Sequence, residues 1–176
     1  MELTYKERTI KYSIYALVIL AAALVQNVLS AHLTIGGARC FILVPVAVAL
    51  GIDEDEKAAA VYGLLGGILL DMVSAQTRLF NAFFLTVACY LFSALVTFIF
   101  RSTLRFRLAA GLVSVVLYCL LYWVCNVLIG GGAGSGTVLL RLFLPSAVYT
   151  AALTPFVCVG MKALSDKLNK IEKIAD

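Results

Sequence analysis

Charge is scarce in this sequence. Asp, Glu, Lys and Arg make up 14% of its 176 residues, against about 25% in soluble domains. That excludes an ordinary soluble domain, and the 62% of hydrophobic residues points to a membrane protein. Histidine is nearly missing: the only one, His32, follows the first apolar run and reads as a surface residue with no role. The serines and threonines have no histidine or lysine base at a plausible spacing. No H-E-x-x-H, Walker or G-x-S-x-G motif occurs. No catalytic residue, metal site or cofactor is therefore expected, and no nucleic-acid partner. The cysteines Cys40, Cys89, Cys119, Cys125 and Cys158 form no C-x-x-C pair and all sit in apolar stretches. They read as membrane-buried thiols that act as small apolar side chains, not as metal ligands or a disulfide framework.

What is present is a series of apolar runs joined by short loops. No loop is long enough for a separate soluble domain, so residues 1–176 read as one polytopic membrane domain. The run from Tyr12 to Ala31 is too long for a cleavable signal and lacks an A-x-A site after it, so it is expected to be the first span. Run lengths predict six spanning helices, at about 12–31, 38–51, 56–73, 81–100, 108–129 and 138–162. The second is short and is interrupted by Pro45.

Lys and Arg set the expected orientation. With the N-terminus in the cytoplasm, Arg39, Arg78 and Arg141 fall outside and the other eleven of the 14 fall inside. Cytoplasmic loops carry such an excess. If the second run did not span, Arg101, Arg105 and Arg107 would move outside. The distribution thus predicts six spans, with both termini cytoplasmic.

The loops add three expectations. Asp53 and Glu56 have capping-box spacing before the third helix; the acidic run Asp53 to Glu56 is either a solvated helix start or a contact for a basic partner. The run Gly130 to Gly136 reads as a flexible linker. From Lys162 onward, Leu164, Leu168, Ile171 and Ile174 recur at helical spacing among lysines. That predicts a short amphipathic tail helix on the inner membrane surface, with anionic lipid as its contact.

The stretch from Ala58 to Ser74 carries the sharpest signal. Ala59, Gly63, Gly67 and Asp71 are spaced by four and lie along one helix face. Small residues let a neighbouring helix approach closely, and a carboxylate in an apolar helix must face protein, water or a partner. The face serves either internal packing or an interface with another membrane protein. Asp71 lies near the C-terminal, negative end of its helix, where a carboxylate needs compensation. Arg39, Arg78 and Asn81 are its candidate partners. It is either a structural cap at the turn between helices 3 and 4 or part of a partner or ligand site. Asn126 in helix 5, and Gln26 with Asn27 late in helix 1, read as interhelical hydrogen-bonding groups. Tyr118, Tyr122 and Trp123 read as core or interfacial anchors.

The segment Gly63-Leu-Leu-Gly66-Gly67-Ile-Leu-Leu-Asp71-Met-Val-Ser74, preceded by a proline-bearing helix and followed by an apolar helix from Asn81, resembles the rod shape-determining protein MreD family. Size, six spans and internal termini are similar along the whole chain. The chain departs from the family pattern at Val46, where an acidic or amide residue often follows the helix 2 proline. It departs again at Arg78-Leu79-Phe80-Asn81, where a glycine often precedes helix 4. The resemblance implies a non-enzymatic protein of the bacterial inner membrane that works with MreC, MreB and the RodA/penicillin-binding-protein synthase pair in cell elongation. It also implies an all-α fold similar to the substrate-binding S-components of energy-coupling-factor vitamin transporters, and an S-component is the alternative function. Against that alternative, helix 1 has Ala21-Ala22-Ala23 but no A-x-x-x-A docking pattern. A small-molecule exporter, a third class, would want more intramembrane charge than Asp71 alone.

Overall fold

The structure is a computed structural model that describes residues 5–32, 40–73, 79–98, 103–125, 141 and 143–174. Among these there are six helices and no strand: α1 (Tyr5–His32), α2 (Leu43–Gly51), α3 (Glu56–Val73), α4 (Phe80–Phe98), α5 (Leu104–Trp123) and α6 (Leu144–Ile174). Four helices, α1, α4, α5 and α6, contain stretches long and apolar enough to cross a membrane. α3 rises about 27 Å at 1.5 Å per residue but carries Glu56, Lys57 and Asp71.

α2 departs most from the expected span at 38–51. Its nine residues are all buried, and they rise only about 13 Å. It packs against all five other helices. It is the core of the bundle, which is why its sequence is uniformly apolar with no polar face. Pro45 does not interrupt it. Pro45 lies in the first turn, where a backbone N–H has no acceptor within the helix, so the proline removes no bond.

The helices alternate in direction. Lys11 of α1, the end of α2, the start of α3, Ser93 of α4, the start of α5 and Ser165 of α6 meet at one end of the bundle through ion pairs and hydrogen bonds. Gln26, the start of α2, the end of α3, the start of α4, Tyr118 and Thr150 meet at the other. Between them lies the apolar core, with Tyr15, Ile19, Leu43, Val48, Leu85 and Val115 almost fully enclosed.

α6 revises the expected tail. The span and the tail form one continuous helix of 31 residues, and Leu164 and Leu168 pack against the protein core. Ser165 between them is buried and accepts a hydrogen bond from the Tyr15 hydroxyl at 3.4 Å. At these positions the apolar face of the tail is turned to its own bundle rather than to a lipid surface. The linker 130–136 lies outside the described residues.

Candidate functional site

α4 begins with an apolar residue where a capping oxygen is normally found. The Phe83 amide donates to the Leu79 carbonyl at 3.1 Å, so Leu79 holds the position that Ser, Thr, Asp or Asn usually fill. Leu79 has no side-chain oxygen to offer the first-turn amides. Asp71, at the end of the preceding helix, supplies it. One carboxylate oxygen accepts from the Ala82 amide at 2.9 Å and the other from the Asn81 amide at 3.3 Å. Asp71 is 5% exposed. Its charge therefore rests at the positive start of α4, which compensates its unfavourable place at the end of α3. Leu79 itself sits at φ 51°, a left-handed conformation that glycine adopts without strain.

The network continues inward. Asn81 accepts a hydrogen bond from the Tyr118 hydroxyl at 2.8 Å through its side-chain oxygen. Around Tyr118 the rings of Phe41, Phe84 and Phe80 pack at centroid distances of 4.9, 5.4 and 6.3 Å. Tyr122 joins Phe80 and Phe143 at 5.6 and 5.7 Å. α2 begins in the same way as α4. Its N-cap, Ile42, forms no side-chain cap, and Gln26 of α1 accepts from the Leu43 amide at 2.8 Å instead. Thr150 of α6 accepts from the Phe41 amide at 3.1 Å.

The small-residue face of α3 is consumed within the bundle. A Cβ added at Gly67 would meet the backbone of Ala82, including its nitrogen at 2.6 Å, and one at Gly63 would meet the Leu85 carbonyl carbon at 2.8 Å. These glycines let α3 and α4 touch backbone to backbone, just where Asp71 caps α4. Ala59 is fully buried. It faces α2, where a Cβ at Gly51 would lie 3.1 Å from the Ala59 methyl.

The opposite end is ionic. Arg107, in the first turn of α5, reaches both carboxylate oxygens of Asp53 from Nη2, at 2.5 and 2.7 Å, and the Ala49 carbonyl from Nη1 at 3.3 Å. It thereby holds the negative end of α2 as well as the acid beyond it. Arg107 is 3% exposed. Lys11 pairs with Glu54 at 2.6 Å, and the Ser93 hydroxyl donates to the Glu54 carbonyl at 2.7 Å. The acidic run is thus engaged by the chain's own cations at its first two positions. α3 starts at Glu56, so the residue before it is Asp55 and not the expected Asp53, whose carboxylate is on Arg107. α5 is capped by its own Thr103, which accepts from the Phe106 amide at 3.3 Å.

Of the residues singled out from sequence, Ala59, Gly63, Gly67, Asp71 and Asn81 are buried. Asp71 and Asn81 meet through the Asn81 backbone amide. Arg39, Arg78 and Asn126 lie outside the described residues, as does the side chain of His32. Sequence reasoning missed the Arg107–Asp53 and Lys11–Glu54 pairs. Their signal was an acid just after one expected span and a base just before another, at the same end. Counting Lys and Arg for orientation treats such a base as a loop charge. Among the described residues no cluster of three or more His, Cys, Asp or Glu is arranged to hold a metal. The fold and these polar layers define a multi-pass α-helical membrane protein. No family model, curated protein or solved structure matches the chain.

Proposed function

We propose that this protein is a non-enzymatic membrane scaffold of the bacterial cell-elongation machinery, similar in role to the MreD family. It resides in the inner membrane as a bundle of six helices that alternate in direction, its Arg107 end and both termini towards the cytoplasm. It binds an MreC-like single-span protein and, directly or through it, MreB and the RodA/penicillin-binding-protein synthase. The observation that carries the reading is the use made of Asp71. This acid, in the segment that resembles the family, spends both oxygens on the amides that open α4. A carboxylate so engaged sets helix geometry and is poorly placed to move protons. Leu79 adds support: it takes the left-handed conformation that suits glycine, next to where the family often has one.

The S-component alternative needs room for a vitamin near the external face. The ring cluster around Tyr118 fills the middle of that end of the bundle, which favours the scaffold. Depletion of the protein in its rod-shaped host is expected to give round, swollen cells, and the tagged protein is expected to co-purify with an MreC-like partner. Normal rods after depletion, together with tight vitamin binding by the purified protein, would reverse the order of the two readings.

A further inference from the structure

The 31 residues of α6 rise about 46 Å at 1.5 Å per residue. A bilayer's hydrocarbon core is roughly 30 Å thick, so the last turns of the helix leave it. The upstream part is firmly fixed. The Thr150 hydroxyl accepts from the Phe41 amide at 3.1 Å, and a Cβ at Gly111 of α5 would lie 2.9 Å from the Thr154 methyl. The Cys158 thiol donates to the Arg107 carbonyl at 3.7 Å. Two residues further on stands Gly160, with open space where a Cβ would be. Glycine is a poor residue for a helix interior. The turn before it already lacks a bond, because Pro155 has no N–H to give the Ala151 carbonyl. Beyond Gly160 the described side chains hold the helix more lightly. Met161 and Ser165 are buried, and Leu164 and Leu168 are half-buried against the core. The one hydrogen bond to α1, from the Tyr15 hydroxyl to Ser165, is 3.4 Å, long for a pair of hydroxyls.

The same segment has a second place to bury its apolar side. In the sequence, Leu164, Leu168, Ile171 and Ile174 recur at helical spacing, with Lys162, Lys167, Lys170 and Lys173 against Asp166 and Glu172. A basic amphipathic helix of this kind suits an anionic membrane surface. We infer that the segment from Met161 onward is a latch hinged at Gly160: closed on α1 as in this structure, it opens to lie on an anionic lipid surface and breaks the Tyr15–Ser165 bond. Leu164 and Leu168 are sheltered in both positions, so charge decides between them. Closed, the straight helix carries its later lysines away from the bilayer; open, it lays them on the headgroups. A ligand shifts such an equilibrium only by its differential affinity for the two states, and anionic headgroups favour the open one. Lipid charge thus sets whether α6 covers the Arg107 end of the bundle.

The test uses the full-length protein in nanodiscs, with spin labels at Ile10→Cys on α1 and Asp166→Cys on α6, both exposed positions. The native thiols are buried except that of Cys125, which is removed by Cys125→Ser. Pulsed electron paramagnetic resonance in phosphatidylcholine alone should give one main distance, that of the closed latch. Exchanging about a third of the lipid for phosphatidylglycerol should raise the share of a second, longer distance about fivefold, the weight of one lysine near an anionic surface. Gly160→Ala, which stiffens the hinge, should lower that share in the same bilayers. Tyr15→Phe, which removes the latch bond, should raise it in both. Lys167→Gln combined with Lys170→Gln should erase the dependence on phosphatidylglycerol and leave the closed distance unchanged. Gly160 has open space around it and Lys167 is exposed, so these variants keep the fold even if Tyr15→Phe does not. A single distance in every bilayer would overturn the inference. So would a second distance whose share ignores phosphatidylglycerol, or one whose lipid dependence survives the lysine variant.

Discussion

At the Asp71 end, two helices start with apolar residues, Ile42 and Leu79, and borrow their caps from Gln26 and Asp71 on other helices. At the Arg107 end, α5 carries its own cap in Thr103, and the polar work is done by pairs of full charges. Both ends engage buried polar groups, but by different means, and at the Arg107 end the Arg107 Nε is left without a hydrogen-bond partner. A single carboxylate can be held by backbone amides and a helix dipole, with no cation among its described contacts. An arginine and an aspartate taken out of water need each other. The run from Lys11 to Gln26 rises only about 22 Å, less than the roughly 30 Å of a bilayer's hydrocarbon core. At least one of the two layers therefore lies at apolar depth, where each unpaired group is expensive.

The comparison breaks most readily at the ionic end. Arg107→Ala takes the guanidinium away from both carboxylate oxygens of the largely enclosed Asp53 and should cost about 3–5 kcal/mol, read as a fall in the thermal midpoint in detergent. The double variant Arg107→Leu, Asp53→Leu should regain most of that loss. If the double variant is as unstable as Arg107→Ala, the penalty lies in packing and not in the stranded charge.

Next in size is the glycine face. Gly67→Ala places a methyl group against the Ala82 backbone, and overpacking of this kind costs about 1–3 kcal/mol. Gly63→Leu or Gly67→Leu should prevent close approach of α3 and α4 altogether, seen as aggregation in size-exclusion chromatography. Gly160→Ala, with open space around its Cβ, should be tolerated. Equal behaviour of the Gly67 and Gly160 variants would refute the backbone contact.

Much of this was legible beforehand. The four-residue spacing from Ala59 to Asp71 marks a packing face because a helix places such positions in line, and the acid at its end asks for compensation. The character of α2 was not legible. A short apolar run reads alike as a weak span and as a buried core helix, and only its five neighbours decide. The sequence offered Asp71 as a cap at the turn between helices 3 and 4 with Asn81 as one candidate partner, but did not show that it serves the backbone amides of Asn81 and Ala82. Such a cap depends on α3 and α4 touching, and the local sequence at Leu79 shows only that a cap is missing. The Arg107–Asp53 pair joins residues far apart in the chain, and spacing rules do not reach that far.

Smaller effects sharpen the Asp71 end. Asp71→Leu should cost about 2 kcal/mol, the upper range for a lost cap. Asp71→Asn keeps one acceptor and should cost about half as much, so the variants should rank Leu below Asn in thermal midpoint. Leu79→Gly should be the mildest change, a gain of up to about 1 kcal/mol from relief of the left-handed strain. A loss in that variant would argue against the strain.

The most direct measurement is backbone hydrogen exchange at the opening of α4. The amides of Asn81 and Ala82 lie in the first turn and have no acceptor within their own helix, so their protection depends on Asp71. In Asp71→Leu they should exchange about tenfold faster than in wild type or more, corresponding to about 1.4 kcal/mol, while Phe83, bonded to the Leu79 carbonyl, stays protected. Unchanged protection at Asn81 and Ala82 would contradict the assignment of Asp71 as the cap that joins the two helices.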